Sequence, residues 1–153
     1  MAGFYLNELL LRLLAKGDAN AAAFSCYSQA LADLATRANT SLVLRLFELR
    51  LLEALGYGLN LSDDAETGEP VRAEQRYRFE PERGARLEAG ASNGNDSYWG
   101  RELISLRDEK LDDDDSLRAA KRLLSQVLRV YLGERPLNTR SVLRELFVRG
   151  AKR

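Results

Sequence analysis

The chain has 153 residues, 45% hydrophobic and 30% charged, which is the length of one domain and the composition of a globular protein. It contains no histidine and one cysteine, Cys26, which excludes zinc sites built from both, histidine-based triads and a disulfide framework. The net charge is zero over residues 1–61, −8 over 62–115 and +8 over 116–153, so the basic last third either meets an anionic partner or is neutralised by the acidic middle.

The first third is predicted to form three helices joined by short polar turns, as in an antiparallel bundle. Their predicted ranges are 4–15, 21–36 and 42–55. The predicted caps are Asp18 or Asn20 for the second helix and Thr40 or Ser41 for the third. In the first helix the apolar residues Phe4 and Leu11 do not share one narrow face with Leu9 and Leu14, which predicts burial on several sides. The run is too short and too polar to span a membrane.

The third helix is predicted to be the centre of the core. Its apolar arc consists of Val43, Leu44, Phe47, Leu51, Ala54 and Leu55. Its opposite side carries Arg45, Glu48, Arg50 and Glu53, with Leu42, Leu46, Leu49 and Leu52 among them. A helix that is apolar on nearly all sides packs against neighbours on more than one face. We expect Arg45 to pair with Glu48 and Arg50 with Glu53 along the helix, which then ends at Gly56.

The middle of the chain is predicted to be an irregular insertion with little regular structure. Residues 62–70 form a turn-rich connector, and residues 77–79 alternate as a strand that pairs back with 85–87. After a flexible polar segment, Ser97 is expected to cap a short helix that contains Leu103, Ile104 and Leu106.

A long helix over residues 116–132 is predicted to follow four aspartates, 112–115. Acidic residues at a helix N-terminus are stabilised by the helix dipole, so no metal is needed to explain them. The predicted buried stripe is Leu117, Ala120, Leu124, Val127, Leu128 and Tyr131. Gly133 ends the helix. A last helix, capped by Asn138 or Thr139, is predicted to turn Val142, Leu143, Leu146 and Phe147 inward.

The sequence shows no catalytic constellation. It lacks a histidine base, a glycine-rich phosphate loop and a nucleophile elbow. We therefore expect a binding protein rather than an enzyme, with no cofactor and no metal ligands.

The basic residues of the last third form the first candidate binding surface. They are Arg118, Lys121, Arg122, Arg129, Arg135, Arg140 and Arg144. Such a set can contact the phosphates of DNA or other anions, and it can equally be the solvated face of two amphipathic helices. Because aromatic residues for base stacking are scarce there, any DNA binding is expected to be electrostatic and sensitive to salt.

Arg45 and its helical neighbours Leu42, Leu49 and Leu52 form the second candidate. A guanidinium beside apolar side chains suits a short peptide that ends in an apolar residue and a carboxylate. The alternative is an arginine whose stem packs on the leucines while its head reaches water or Glu48.

Six segments carry a resemblance to a known family. They are GFYLNELLLRLL (3–14), LRLFELRLLEALGYGLNL (44–61), TGEPV (67–71), YRFEPERG (77–84), LRAAKRLL (117–124) and YLGERPLNTRSVLRELF (131–147). In this order, over essentially the whole chain, the sequence resembles the C-terminal helical part of the bacterial recombination mediator RecO.

The resemblance implies a protein of RecF-pathway DNA repair that is not an enzyme. Proteins of this family bind the acidic C-terminal tail of the single-stranded-DNA-binding protein, work with RecR, help to load RecA and anneal complementary strands. In the family the helical domain holds the tail, and Arg45 with its leucines matches a family segment that could supply this site. The implied location is cytoplasmic, associated with the nucleoid and not with a membrane.

The chain departs from the family in two ways. We expect the family's N-terminal oligonucleotide-binding barrel (OB fold) to be missing here, and binding to single- or double-stranded DNA therefore to be weak. Many members also carry a cysteine-rich zinc module after the central helix, whereas residues 63–95 contain no cysteine, as in a zinc-free subgroup.

We therefore predict a mainly α fold. The expected architecture is an antiparallel bundle of about six helices with a small irregular or β-hairpin insertion. One helical domain spans residues 1–153, with a three-helix core at 1–61, an insertion at 62–97 and C-terminal helices at 98–153. The alternative to a ligand-binding module is a structural scaffold that only docks the missing barrel and RecR.

Overall fold

The computed structural model describes residues 1–14, 20–36, 39–90, 94–133 and 137–138. The helices in these ranges are α1 (Ala2–Leu13), α2 (Ala21–Ala35), α3 (Thr40–Ala54), α4 (Gly100–Arg107) and α5 (Asp114–Leu132). The strands are β1 (Arg76–Glu80), β2 (Gly84–Leu87) and β3 (Ser97–Trp99). The mainly helical class is confirmed. The described residues hold five helices rather than about six, and the predicted last helix lies outside them.

The chain divides into two compact units. The first comprises Met1–Leu55 with Tyr131–Arg153, and the second comprises Gly56–Val130. The first unit therefore contains the three N-terminal helices, and the second contains the sheet, α4 and most of α5.

Asparagine side chains cap two of the three helices of the first unit. The Asn20 Oδ1 accepts a hydrogen bond from the Ala23 N–H at 3.0 Å, as predicted for α2. Asn39, rather than Thr40 or Ser41, caps α3 and accepts from the Leu42 N–H at 3.4 Å. Because a side-chain oxygen satisfies a free N–H group of the first turn, the earlier asparagine lets α3 begin at Thr40.

The core of the first unit uses one stripe of α1 and much of α3. On α1, the buried residues are Tyr5, Leu6, Leu9 and Leu10. On α3, the buried apolar residues are Val43, Phe47, Leu51 and Leu52. The prediction that α1 is buried on several sides is wrong, because Phe4 is 70% exposed and Leu11 69% exposed. Both lie outside the stripe that faces the core.

A three-stranded antiparallel sheet, in the order β2-β1-β3, forms the centre of the second unit. The predicted hairpin is confirmed: Tyr77 pairs with Leu87 and Phe79 with Ala85. Ser97 does not cap a helix but begins β3, where it pairs with Arg78. Trp99 occupies the cap position of α4, and its N–H donates to the Glu102 carboxylate at 2.8 Å.

The connector at residues 62–70 is organised by the buried carboxylate of Asp64. One oxygen accepts from the N–H groups of Glu66 (2.7 Å) and Thr67 (3.0 Å). The other accepts from the Leu87 N–H at 2.7 Å, which ties the turn to β2. Burial alone would raise the pKa of Asp64, but these three donors stabilise the anion and together lower the pKa below its ordinary value.

Helix α5 begins at Asp114, two residues before the predicted start at Ser116. The Asp113 carboxylate accepts from the Ser116 N–H at 2.6 Å, and Asp114 and Asp115 occupy the first turn. The helix is followed by Gly133, whose φ of +72° is a conformation that favours glycine. Its buried apolar residues are Ala119, Ala120, Leu123, Leu124, Val127 and Leu128. The aspartates are therefore explained by helix initiation.

Candidate functional site

Arg45 lies inside the first unit, paired with a carboxylate from its own helix. Its Nη2 is 2.9 Å from the Glu48 Oε1, which confirms the predicted pair. The Tyr5 hydroxyl of α1 donates to the same oxygen at 2.5 Å. Arg45 is 7% exposed and Glu48 1% exposed, so these charged residues do not lie on a solvent face of α3. Tyr5 makes this burial possible, because it supplies a second donor to the carboxylate.

The Arg45 guanidinium keeps one donor without an acceptor. Its Nε is buried and has no hydrogen-bond partner among the described residues. A buried donor without an acceptor costs free energy, so the position favours a group that can supply one.

The three leucines predicted to accompany Arg45 have different environments. Leu42 and Leu49 are half-buried, whereas Leu52 is fully buried. All four residues lie along one stripe of α3, since they are three, four and three positions apart. The helix therefore brings the predicted residues together, with Leu42 and Leu49 as the accessible apolar neighbours of Arg45.

A second apolar surface lies on α1 and α2 and was not predicted. A shallow cavity of about 300 Å³ is lined by Met1, Gly3, Phe4, Asn7, Tyr27 and Leu31. Phe24 is also 50% exposed. Helical periodicity in a sequence does not show which apolar residues face outward, and only the packing of the helices shows that part of this set is exposed.

Four of the predicted basic residues lie on the exposed face of α5, as expected: Arg118, Lys121, Arg122 and Arg129. Arg135, Arg140 and Arg144 lie outside the described residues. Because the buried residues of α5 form the opposite stripe, the four described cations share one side of the helix.

Two of these cations already have partners in the second unit. Arg118 forms an ion pair with Asp115. The Arg122 Nη1 donates to the carbonyl oxygens of Asn95 (3.2 Å) and Ser97 (3.4 Å), and its Cζ lies 4.6 Å from the Tyr98 ring centroid. Burial raises the pKa of Tyr98 to about 12, although the charge of Arg122 opposes this shift.

A shallow depression of about 340 Å³ lies beside this basic face. It is lined by Glu102, Asp115, Arg118, Ala119, Lys121 and Arg122. Three cations and two carboxylates give the lining a mixed charge, and the exposed Lys121 is the cation best placed to meet an anion from solution.

A cluster of two arginines and one tryptophan, hereafter the Trp99 corner, was not predicted either. The Cζ atoms of Arg76 and Arg101 lie 4.8 and 4.6 Å from the Trp99 ring centroid. Arg76 is distant from Trp99 in sequence, and only the register of β1 with β3 places them opposite each other. The one available signal was that Trp99 is the only tryptophan of the chain.

No group of three or more Cys, Asp or Glu side chains in the described residues is arranged to hold a metal ion. No helix among these residues is long and apolar enough to cross a bilayer.

The fold and its surfaces define a mainly helical domain with a small antiparallel sheet, whose distinctive groups are arginines set against apolar and aromatic side chains. The chain belongs to the family described as "Recombination protein O C terminal", whose sequence model matches residues 1–141.

The chain is similar in sequence to proteins of several bacteria. The chain is 40% identical to the DNA repair protein RecO of Nitrosospira multiformis over 95% of its own length and 60% of the relative's. It is 39% identical to the DNA repair protein RecO of Haemophilus influenzae strain 86-028NP, over 92% of its own length and 59% of the relative's. It is 40% identical to that of Methylococcus capsulatus, over 93% of its own length and 57% of the relative's. The chain thus spans about three-fifths of the length of these relatives, in agreement with the resemblance to the C-terminal part of RecO.

Proposed function

We propose that the chain is a non-catalytic binding domain of a DNA repair and recombination mediator in the RecF pathway. Its relatives are named DNA repair protein RecO, and the family match covers residues 1–141. In this proposal the domain holds the acidic C-terminal tail of the single-stranded-DNA-binding protein, cooperates with RecR, and supports RecA loading and strand annealing in the nucleoid.

The unsatisfied Nε of Arg45 is the observation that carries tail binding. A peptide carboxylate is a charged acceptor, and it would complete the hydrogen bonds of a guanidinium that Glu48 satisfies only in part. Because the Nε is buried, this contact requires the Arg45 side chain to turn toward the ligand when the peptide binds. The half-buried Leu42 and Leu49 on either side offer apolar area to a terminal phenylalanine.

Fluorescence anisotropy with a labelled acidic peptide ending in Pro-Phe tests this proposal. Binding is expected to weaken about tenfold or more in Arg45→Ala, because a charge-assisted hydrogen bond is lost. Leu49→Ala is expected to weaken binding less, since it removes apolar area alone. Arg83→Ala is the matched control, because Arg83 is exposed and belongs to the second unit.

Two results would count against tail binding. Unchanged affinity in both Arg45→Ala and Leu49→Ala would remove this stripe of α3 from the site. Failure of the unaltered chain to bind the peptide at any salt concentration would reject tail recognition by this domain.

The scaffold function is the second candidate, and one observation favours it. Leu52 is fully buried and the Arg45–Glu48 pair is internal, as expected of residues that stabilise a bundle which docks an oligonucleotide-binding barrel and RecR. This function predicts that Arg45→Ala lowers the unfolding midpoint, and that neither the variant nor the unaltered chain binds the peptide.

DNA contact through the basic face of α5 completes the proposal. The exposed cations Lys121 and Arg129 would meet phosphates without sequence preference. Binding through such contacts falls steeply with added salt and shows no preference for the peptide.

A further inference from the structure

The Trp99 corner is built by strand register in the second unit. Arg76 on β1 lies directly opposite Trp99 on β3, so their side chains emerge on the same face of the sheet. Arg101 follows two residues later, in the first turn of α4. Both guanidiniums therefore reach the same indole ring, at 4.8 and 4.6 Å from its centroid.

The backbone around the Trp99 corner is held tightly. The Gly100 N–H donates to the Gln75 carbonyl at 2.7 Å, and the Arg101 N–H donates to the Ala73 carbonyl at 3.1 Å. Gly100 packs so closely on the preceding segment that a Cβ there would lie 1.8 Å from the Arg72 carbonyl oxygen. The two arginines thus project from a rigid base, and less conformational entropy is lost when they bind a ligand.

The charges of the Trp99 corner differ from those of its neighbours. Arg78 pairs with Glu88 and Asp96, and Arg86 pairs with Glu66 and Glu80. Arg76 instead donates to the Ser97 hydroxyl, at 2.7 Å from Nη2. Among the residues that the structure describes, no carboxylate forms an ion pair with Arg76 or Arg101. Two positive charges at this corner therefore lack a negative partner.

We propose that the Trp99 corner binds the phosphodiester backbone of single-stranded nucleic acid. A guanidinium stacked on an indole keeps its in-plane N–H groups available, and these match two phosphate oxygens. Unpaired bases can stack on the guanidinium planes and on the accessible part of the indole, which bases paired within a duplex cannot do. The half-buried Trp99 and the exposed Arg101 are both open to such a strand.

This site is separate from the proposed peptide site. Arg45 belongs to the first unit and the Trp99 corner to the second. The readouts also differ, because peptide binding is followed by a label on the peptide and strand binding by the protein itself. Failure of strand binding at the Trp99 corner therefore leaves tail recognition unaffected, and failure of peptide binding leaves the Trp99 proposal unaffected.

Trp99 reports on its own site, because it is the only tryptophan of the chain. Titration of the 153-residue chain with an oligothymidylate of about eight nucleotides is expected to change the tryptophan emission saturably. With two phosphates engaged, the logarithm of the association constant should fall with the logarithm of salt concentration with a slope of about −1.4.

Variants of Arg101 test the phosphate contact directly. Arg101→Ala is expected to weaken strand binding about tenfold and to make the salt slope shallower by about 0.7. Arg101→Lys is expected to keep the slope but not the full affinity, since lysine retains the charge without the planar fork. The matched control, Arg83→Ala, removes one exposed charge from the β1–β2 turn and should change neither quantity.

Four outcomes would overturn the proposal. They are no change in tryptophan emission with the oligothymidylate, unchanged affinity in Arg101→Ala, tighter binding of a duplex of the same length, and an equal emission change with polyglutamate. The last two would assign the Trp99 corner to duplex DNA or to an acidic protein instead.

Discussion

Asp64 shows how a single side chain organises an irregular segment. Its carboxylate receives three backbone N–H groups while the residue is 5% exposed. The anion is therefore favoured in the folded chain, with a pKa below the ordinary value of 3.8. Its stabilising contribution is complete above that value and is lost as the pH falls through the lower pKa of the folded state.

Asp64→Ala is expected to lower the free energy of unfolding by about 3 kcal/mol, because buried N–H donors lose their acceptor. Asp64→Asn should lose less, since its oxygen can still accept from Glu66 and Thr67. Urea unfolding between about pH 3 and 7 measures both effects, and Asp64→Asn should show a shallower loss of stability below about pH 4.

The neighbouring Asp63 provides the control for this prediction. Its side chain is exposed, so Asp63→Ala should change the free energy of unfolding by less than about 0.5 kcal/mol. An equal loss of stability in Asp63→Ala and Asp64→Ala would contradict the role given to Asp64.

The pairing of Arg45 with Glu48 could be predicted from the sequence, but their burial could not. Their pairing follows from a spacing of three residues on a helix and was predicted correctly. Their depth was not predicted, because it depends on Tyr5, which lies 43 positions from Glu48 in sequence. Helical periodicity reports which residues share a face, but not which polar group of a distant element will satisfy a buried charge.

At the scale of elements, prediction succeeded where the signal was local. The hairpin of β1 and β2 was found from its alternating residues and the intervening turn. Strand β3 has only three residues, too few to show alternation, and its pairing is fixed by β1. The Trp99 corner depends on that pairing, so it could not be found from the sequence.

The start of α4 depends on the absence of a side chain at Gly100. Gly100→Ala is expected to destabilise the chain by at least about 2 kcal/mol, because the new Cβ would lie 1.8 Å from the Arg72 carbonyl oxygen. Gly3→Ala is the matched control on α1, where the nearest atom to a Cβ is the Leu31 Cδ2 at 3.9 Å. That variant should be stabilised by about 0.5 kcal/mol, since alanine favours a helix.

Urea unfolding of the two glycine variants, followed by circular dichroism, measures both changes. The Gly100→Ala transition should move to lower urea concentration and the Gly3→Ala transition to slightly higher. Equal stability of the two variants would show that the backbone at Gly100 shifts at little energetic cost to accommodate a Cβ. That result would weaken the case for a rigid Trp99 corner.

At the scale of the whole molecule, the two proposed ligands are assigned to different units. Two sites that do not share residues can be filled together unless binding at one changes the affinity of the other. The affinity for the labelled acidic peptide should therefore change less than twofold when the oligothymidylate is saturating. Displacement of the peptide by the oligothymidylate would show that the two anions share one basic surface.

The buried contact of Tyr5, Glu48 and Arg45 also constrains how this sequence can diverge. Loss of Glu48 alone would leave the buried Arg45 guanidinium without a negative partner, and loss of Arg45 alone would leave the Glu48 carboxylate without a positive one. Each change would cost about 3–5 kcal/mol. Replacement of both by apolar residues of similar volume avoids that cost. We therefore expect positions 45 and 48 to covary among relatives, with phenylalanine at position 5 wherever the carboxylate has been lost.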